Sequence, residues 1–175
     1  CYVRPTFILI GRFVEKKGLY TLIHAFALIK DKDAFLVLIG DGPLYPEIKY
    51  LIEQLDLQDR VEFRGWVAHE EIAHVLDGAL GLVLPSLEAV SGDSEGAPVV
   101  LMEAAARGVC CLTTRHAGIP EVVAHLETGI LVQPGSHRDL ANGLSWLLEN
   151  PDDARRLGIQ ARWKATCEFS AASRA

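Results

Sequence analysis

The sequence predicts an α/β protein with a doubly wound parallel β-sheet of about six strands and helices on both faces. Short apolar runs such as TFILI and FLVLI recur along the chain and alternate with longer amphipathic stretches. The runs are apolar at every position, as expected of strands that are covered on both faces. Alternation of this kind is typical of βαβ units, so the predicted sheet is Rossmann-like.

Each predicted element follows from the spacing of its apolar residues. Leu22, Phe26 and Ile29 recur at helical spacing in the first helix, whereas strands such as LGLVL are continuous apolar runs. The predicted strands are Thr6–Ile10, Phe35–Ile39, Val61–Phe63, Leu80–Leu84, Val109–Thr113 and Gly129–Val132. The predicted helices are Leu19–Lys30, Leu44–Leu55, His69–Leu76, Pro98–Arg107, Pro120–Ala124, Arg138–Leu148 and Asp152–Cys167. No repeat or linker interrupts this order, so residues 1–175 are predicted to form a single domain.

Composition and charge exclude several classes of protein. Half of the 175 residues are apolar and 23% are charged, which is enough to bury a sizeable core. The net charge of −6 argues against a nucleic-acid partner. No apolar run approaches the roughly 18 residues of a membrane span. The four cysteines, with Cys110 and Cys111 in an apolar run, lack C-x-x-C spacing, which predicts reduced core thiols, no zinc site and a cytoplasmic protein.

Polar and glycine-rich segments follow the predicted strands, where open parallel sheets bind ligands. They are GRFVEKKG, GDGPL, RGWV, PSLEAVSGDSEGAP and RHAGIPE. The fourth of these loops is about twice the usual two to six residues, which favours a ligand loop over a dispensable insertion. In the first, Gly11 and Gly18 suit a tight turn, and Arg12 and Lys17 could grip an anion beside a helix N-terminus. A solvated loop with exposed cations remains the alternative.

Two glutamates, Glu95 and Glu103, flank the apolar segment GAPVVLM. Pro98 suits the first helical position, so Glu95 is predicted in the loop and Glu103 inside the helix. Even along a continuous helix they would lie about 12 Å apart at 1.5 Å per residue, which is too far for the paired carboxylates of a glycosidase. They could instead bind hydroxyls at two ends of an elongated ligand, while free N–H groups of Gly96–Val100 face an anion. A nucleotide sugar has this arrangement.

The order GRFVEKKG, GDGPL, FRGW, LPS, E-x7-E and AGIPE resembles the C-terminal, donor-binding domain of the family 4 retaining glycosyltransferases. The resemblance implies one half of a GT-B fold that binds a nucleoside-diphosphate sugar. It assigns Arg12 and Lys17 to the donor diphosphate and Glu95 to the region of the donor sugar, as catalytic residues. Within the donor, it implies that Glu103 lies at the ribose and Arg64–Trp66 near the base. The full set of donor-binding residues that it implies is Gly11, Arg64, Gly65, Trp66, Gly96, Ala97, Pro98, Val99, Val100 and Glu103. Ala97 departs from the family, in which a larger residue is usual.

The resemblance also implies a reaction and a missing partner. A sugar moves with retention from the donor to an acceptor hydroxyl, without a metal or another cofactor, in polysaccharide or glycoconjugate biosynthesis. The chain begins abruptly at CYVRPTFILIGR, so we expect a fragment that lacks the N-terminal acceptor domain. The isolated domain is then expected to be inactive. Peripheral contact with the inner face of the membrane, through the missing half, stays open.

Three other functions share parts of this sequence pattern. A dinucleotide-dependent oxidoreductase would need G-x-G-x-x-G after the first strand, and the sequence has GRFVEKKG there. A non-catalytic sugar-nucleotide binding module would carry the same residues without the transfer. A GT-B epimerase or phosphorylase would share the fold but usually lacks this order of motifs.

Overall fold

Parallel strands in a single sheet organise the computed structural model, which describes residues 3–94 and 96–172. In the described residues the sheet has six strands: β1 (Thr6–Ile10), β2 (Phe35–Ile39), β3 (Val61–Gly65), β4 (Gly81–Leu84), β5 (Cys111–Thr114) and β6 (Gly129–Val132). Their order is β3-β2-β1-β4-β5-β6, and every neighbouring pair is parallel. The predicted doubly wound, Rossmann-like sheet is therefore confirmed. The chain reverses its direction of strand addition between β1 and β4, which is the point where such sheets bind ligands.

The helices follow the strands as predicted, with shifts at their ends. They are α1 (Leu19–Ala27), α2 (Tyr45–Gln54), α3 (His69–Leu76), α4 (Val99–Arg107), α5 (Ile119–Val122), α6 (His137–Glu149) and α7 (Pro151–Ala172). A 3₁₀ turn, Glu15–Lys17, precedes α1. The prediction for β3 stopped at Phe63 and was two residues short. Its apolar run ends there, but a register shift between Leu38 and Ile39 lets Gly65 pair with Ile39.

The predicted start of α4 is wrong by one residue. Pro98 is the N-cap and not the first helical residue, because its ψ of 133° is extended while its φ is −65°. Proline fixes φ alone, and that φ suits both positions. The N–H groups of Val99 and Val100 therefore lie in the first turn, where α-helical acceptors are lacking, whereas the Leu101 N–H donates to the Pro98 carbonyl at 3.0 Å.

The core lies on both faces of the sheet. Phe7, Ile8 and Leu9 are consecutive in β1 and all are fully buried. Successive strand residues point to opposite faces, so helices must cover both of them. On the helical layers, α1 packs against α2 and α6, and α4 packs against α3 and α7.

The contact of α7 with the end of α4 is unusually close. Gly108 ends α4 in a left-handed conformation, and Gly158 of α7 lies against it. A Cβ atom at Gly158 would stand 2.0 Å from the Gly108 carbonyl oxygen and 3.1 Å from the Cys110 nitrogen. The two backbones therefore meet at a point where no side chain fits.

The cysteines confirm the predicted core thiols only in part. Cys110 and Cys111 are buried and free. Burial raises the pKa of Cys110 to about 12 and raises that of Cys111 as well, with a smaller contribution from Cys110. Cys167 lies exposed on α7 and does not belong to the core. Cys1 falls outside the described residues.

Candidate functional site

The loop after β1 places Lys17 against the end of its own strand. Gly11 donates its N–H to the Ile39 carbonyl at 2.9 Å, with a φ of 154° that favours glycine. A Cβ atom at Gly11 would lie 3.1 Å from Cε and 3.5 Å from Nζ of Lys17. The ammonium group thus lies over the Gly11 backbone, and Arg12 beside it is exposed. Both predicted cations are at the carboxyl end of β1.

A buried aromatic side chain holds this loop in place. Phe13 is fully buried and contacts the rings of Tyr45 and Phe63. Its N–H donates to the Asp41 carbonyl at 2.9 Å, and its carbonyl accepts from the Leu44 N–H at 3.1 Å. The loops after β1 and β2 are therefore packed together, which fixes the backbone between Arg12 and Lys17.

The long loop after β4 and the helix α4 that follows it contribute six of the ten predicted donor-binding residues. Gly96 and Ala97 are exposed ahead of the N-cap, and Val99 is 64% exposed, whereas Val100 is buried. The loop after β5 adjoins them, since a Cβ atom at Gly118 would stand 3.5 Å from the Ala97 nitrogen. The N-terminus of α4, at exposed Val99, therefore presents the positive end of the helix dipole beside the exposed backbone of Gly96 and Ala97.

The structure describes only one of the two glutamates of the E-x7-E motif. Glu95 lies outside the described residues, so its predicted place near the donor sugar and its distance from Glu103 are untested. Glu103 lies in the second turn of α4 with its side chain 23% exposed. Its Oε1 lies 3.3 Å from Nδ1 of His69, which makes an ion pair when the imidazole is protonated.

His69 is a neighbour of the site that sequence reasoning missed. It is the first residue of α3 and is 79% exposed in its side chain. The signal that could have found it is its place just after the RGWV loop, at the carboxyl end of β3.

The predicted base region lies at that end of β3. Arg64 directs its guanidinium to Glu62, with nitrogen–oxygen distances of 2.9 and 3.3 Å. The Gly65 carbonyl accepts from the Gly40 N–H at 2.8 Å, and Trp66 is 70% exposed. Since β3 and β4 are separated by two strands, at ~4.8 Å per step this region lies some ~14 Å along the sheet from α4. The predicted residues thus lie along the carboxyl edge of the sheet from β3 to α4, where open parallel sheets have their ligand crevice.

One buried polar atom at this edge of the sheet has no hydrogen-bond partner among the residues that the structure describes. It is Nε2 of His116, in the loop after β5. An unpaired buried polar group costs about 1–3 kcal/mol unless a ligand or water satisfies it.

Across the segments that the structure describes, His, Cys, Asp and Glu side chains do not group as a metal site. In the same segments, no helix is long and apolar enough to cross a membrane.

The six-stranded parallel sheet and its covering helices define a Rossmann-like domain of the kind that forms one half of a GT-B fold. The chain belongs to the family described as "Glycosyl transferases group 1", whose model matches residues 3–164. It is 38% identical over 163 residues to the amylovoran biosynthesis glycosyltransferase AmsK of Erwinia amylovora, covering 92% of this chain and 40% of that protein.

Solved structures share the fold. Sucrose-phosphate synthase of Thermosynechococcus elongatus superposes with a TM-score of 0.84 at 31% identity, over 94% of this chain and 41% of that one. The HepE protein of Anabaena, in complex with UDP, superposes with a TM-score of 0.86 at 24% identity, over 95% and 45%. The chain therefore spans less than half the length of these relatives, and its sheet is one half of their GT-B fold.

Proposed function

We propose that this chain is the donor-binding half of a family 4 retaining glycosyltransferase. The observation that carries the proposal is the meeting of a cationic loop and a helix N-terminus at the β1/β4 switch point. Lys17 lies over Gly11 at the end of β1, and α4 starts after β4 with Val99, which is 64% exposed. A diphosphate is the anion that fits a lysine, an arginine and a set of backbone N–H groups at one place.

The proposed chemistry is transfer of a sugar from a nucleoside diphosphate to an acceptor hydroxyl, with retention at the anomeric carbon. The bond from the sugar to the diphosphate oxygen breaks, so negative charge grows on the leaving diphosphate. Arg12, Lys17 and the first turn of α4 stabilise that charge and need no metal for it. Donors already in place for developing charge lower the barrier because they require little reorganisation.

The remaining site residues take the other parts of the donor. Glu103 accepts hydrogen bonds from the ribose hydroxyls, and the segment Arg64–Trp66 holds the base, largely through its main chain. Gly96, Ala97 and Pro98 bring backbone close to the sugar and phosphates. Glu95 is assigned to the donor sugar by its place in the motif.

The second half of the enzyme is an N-terminal acceptor domain, which supplies the acceptor site. Without it the isolated domain binds donor but does not complete the transfer. Support comes from the relatives, since this chain covers 40% of AmsK. We place the enzyme in the cytoplasm, where the acceptor half could touch the inner face of the membrane. The name of AmsK, an amylovoran biosynthesis enzyme, supports a role in polysaccharide or glycoconjugate biosynthesis.

Calorimetry tests the donor assignment. We expect the chain to bind at least one of UDP, GDP and ADP, and to lose most of that affinity in Lys17→Ala. NADH is the control for a dinucleotide-dependent oxidoreductase, which would bind it in preference. Binding of NADH with no binding of any nucleoside diphosphate would refute the proposal. Donor binding without transfer by the full-length enzyme would instead favour a non-catalytic sugar-nucleotide module.

A further inference from the structure

Two segments of the site, far apart in sequence, are fastened to each other. We call residues 15–18 the cationic turn and residues 85–93 the switch loop. Lys16 Nζ donates to Asp93 Oδ1 and lies 3.1 Å from both carboxylate oxygens. The Lys16 carbonyl accepts from the Leu87 N–H at 3.0 Å. Glu15 Oε1 accepts from the Val90 N–H at 3.1 Å.

The backbones also meet at the base of the two segments. A Cβ atom at Gly18 would stand 2.1 Å from the Pro85 carbonyl oxygen. The switch loop is bonded within itself as well, because the Ala89 N–H donates to the Asp93 carbonyl at 2.9 Å. Its tip residue, Val90, is nevertheless 93% exposed. The base of the loop is held by burial of Ser86, whose carbonyl accepts from Thr114 Oγ1, whereas its exposed tip is held by contacts to the cationic turn.

The position of these contacts gives them a role beyond loop packing. Lys17 stands directly between Lys16 and Gly18, both of which touch the switch loop. The switch loop in turn leads to the first turn of α4. The two candidate anion-binding parts follow the neighbouring strands β1 and β4, whose pairing sets the distance between the strand ends. Contacts between the loops beyond those ends then set the spacing of Lys17 and the N-terminus of α4. Phosphate binding by several donors depends on that spacing.

We propose that Glu15, Lys16 and Asp93 form a staple that positions Lys17 relative to the N-terminus of α4 for a diphosphate. All are positioning residues that act through Lys17 and α4 and do not touch the ligand. This inference rests on the proposed function, since it assumes that a nucleoside diphosphate is bound there.

The deciding variant is Asp93→Asn. It removes a negative charge near the site, so long-range electrostatics alone would tighten the binding of a polyanion. Loss of the positioning contacts of the staple would instead weaken the binding of the polyanion. We expect up to about a fivefold weaker affinity for the preferred nucleoside diphosphate, as for loss of one exposed ion pair. The affinity for the matching monophosphate should change less, because it makes fewer contacts with the positioned groups.

Glu88→Gln is the matched control. It removes the same charge from the same loop, at an exposed carboxylate that makes no contact with the cationic turn among the described residues. We expect unchanged or slightly tighter binding. A charge swap, Lys16→Glu with Asp93→Lys, should recover at least half of the affinity lost in Lys16→Glu alone, because it restores the pair.

The measurements are calorimetric Kd values for the tightest-binding of UDP, GDP and ADP and for its monophosphate, with Tm by circular dichroism. Unchanged or tighter diphosphate binding in Asp93→Asn would overturn the staple, as would equal loss of diphosphate and monophosphate affinity. If Asp93→Asn lowers Tm, the charge swap decides, and no recovery refutes the proposal. A wild-type chain that binds none of the nucleotides would refute the proposed function itself, which is a different result.

Discussion

The contact between Gly158 and Gly108 predicts that a normally stabilising substitution will destabilise this protein. In the interior of a helix, Gly→Ala gains about 1 kcal/mol from propensity alone. At Gly158 the new Cβ would stand 2.0 Å from the Gly108 carbonyl oxygen, whereas ordinary contact requires at least about 3.2 Å. The helix α7 must therefore move by more than 1 Å from α4, since the opposing atom belongs to the backbone and not to a flexible side chain.

Overpacking of this kind typically costs about 1–3 kcal/mol. Opening the seam between α4 and α7 also uncovers apolar neighbours such as Leu157, which is fully buried. We therefore expect Gly158→Ala to lower the free energy of unfolding by about 1–3 kcal/mol in spite of its better helix propensity. For a chain of this length the Tm should fall by about 2–4 °C for each kcal/mol.

Urea denaturation, followed by circular dichroism, measures the change. Gly143→Ala in α6 is the control, because its Cβ would first meet Cδ1 of Leu112, at 2.7 Å. The end of a leucine side chain can turn away, so the propensity gain should offset most of the contact. Equal or greater stability of Gly158→Ala, relative to the wild type, would show that α7 does not dock on α4 as described.

Three further outcomes follow from the site and the thiols. In the full-length enzyme, Lys17→Ala or Arg12→Ala should lower turnover by roughly 10²–10³, as for other lost electrostatic donors, measured by sugar-transfer kinetics. His69→Gln should weaken the binding of a ribonucleotide by up to about fivefold while changing that of its 2′-deoxy analogue less, because His69 pairs with Glu103, the carboxylate that we propose binds the ribose; calorimetry measures both affinities. Native Cys110 should resist iodoacetamide at pH 8, because a thiol with a pKa of about 12 is almost wholly protonated, whereas exposed Cys167 should be labelled; peptide mapping distinguishes them.

Each outcome has its own control and its own contrary result. Lys49→Ala removes an exposed lysine of α2 and should leave turnover unchanged; equal loss there would mean that general charge, not Lys17, matters. His74→Gln, on the same helix as His69, should change the affinities for the ribonucleotide and the deoxynucleotide by the same factor. If His69→Gln also lowers both affinities equally, His69 does not act at the ribose. Labelling of Cys110 in the folded protein, at the rate seen in urea, would contradict its burial.

The sheet could be predicted because its strands are buried on both faces. Runs such as Phe35–Ile39 are then apolar throughout and stand out from the amphipathic helices. The ends of elements were less predictable, because other forces set them. Gly65 joins β3 through a register shift in the neighbouring strand, and no local pattern signals that shift.

The residue types of the candidate site could be predicted from local sequence, but their arrangement could not. Glycines and cations after β1 are visible in the segment GRFVEKKG, whereas the position of Lys17 over Gly11 comes from the structure alone. The bond between Lys16 and Asp93 joins residues 77 positions apart, and the contact of His69 with Glu103 joins two helices. Such pairs depend on the tertiary arrangement of loops, which carries no periodic signal along the chain.

The position of β1 has a consequence for how the chain is made. Although it is the first strand, it lies inside the sheet, between β2 and β4. A growing chain can pair β1, β2 and β3 first, and then add β4, β5 and β6 one at a time to a single free edge without threading. The crevice is therefore completed only when β4 docks on that early unit. Until then β1 has an unpaired edge, at which a stalled or truncated chain is exposed to wrong pairing.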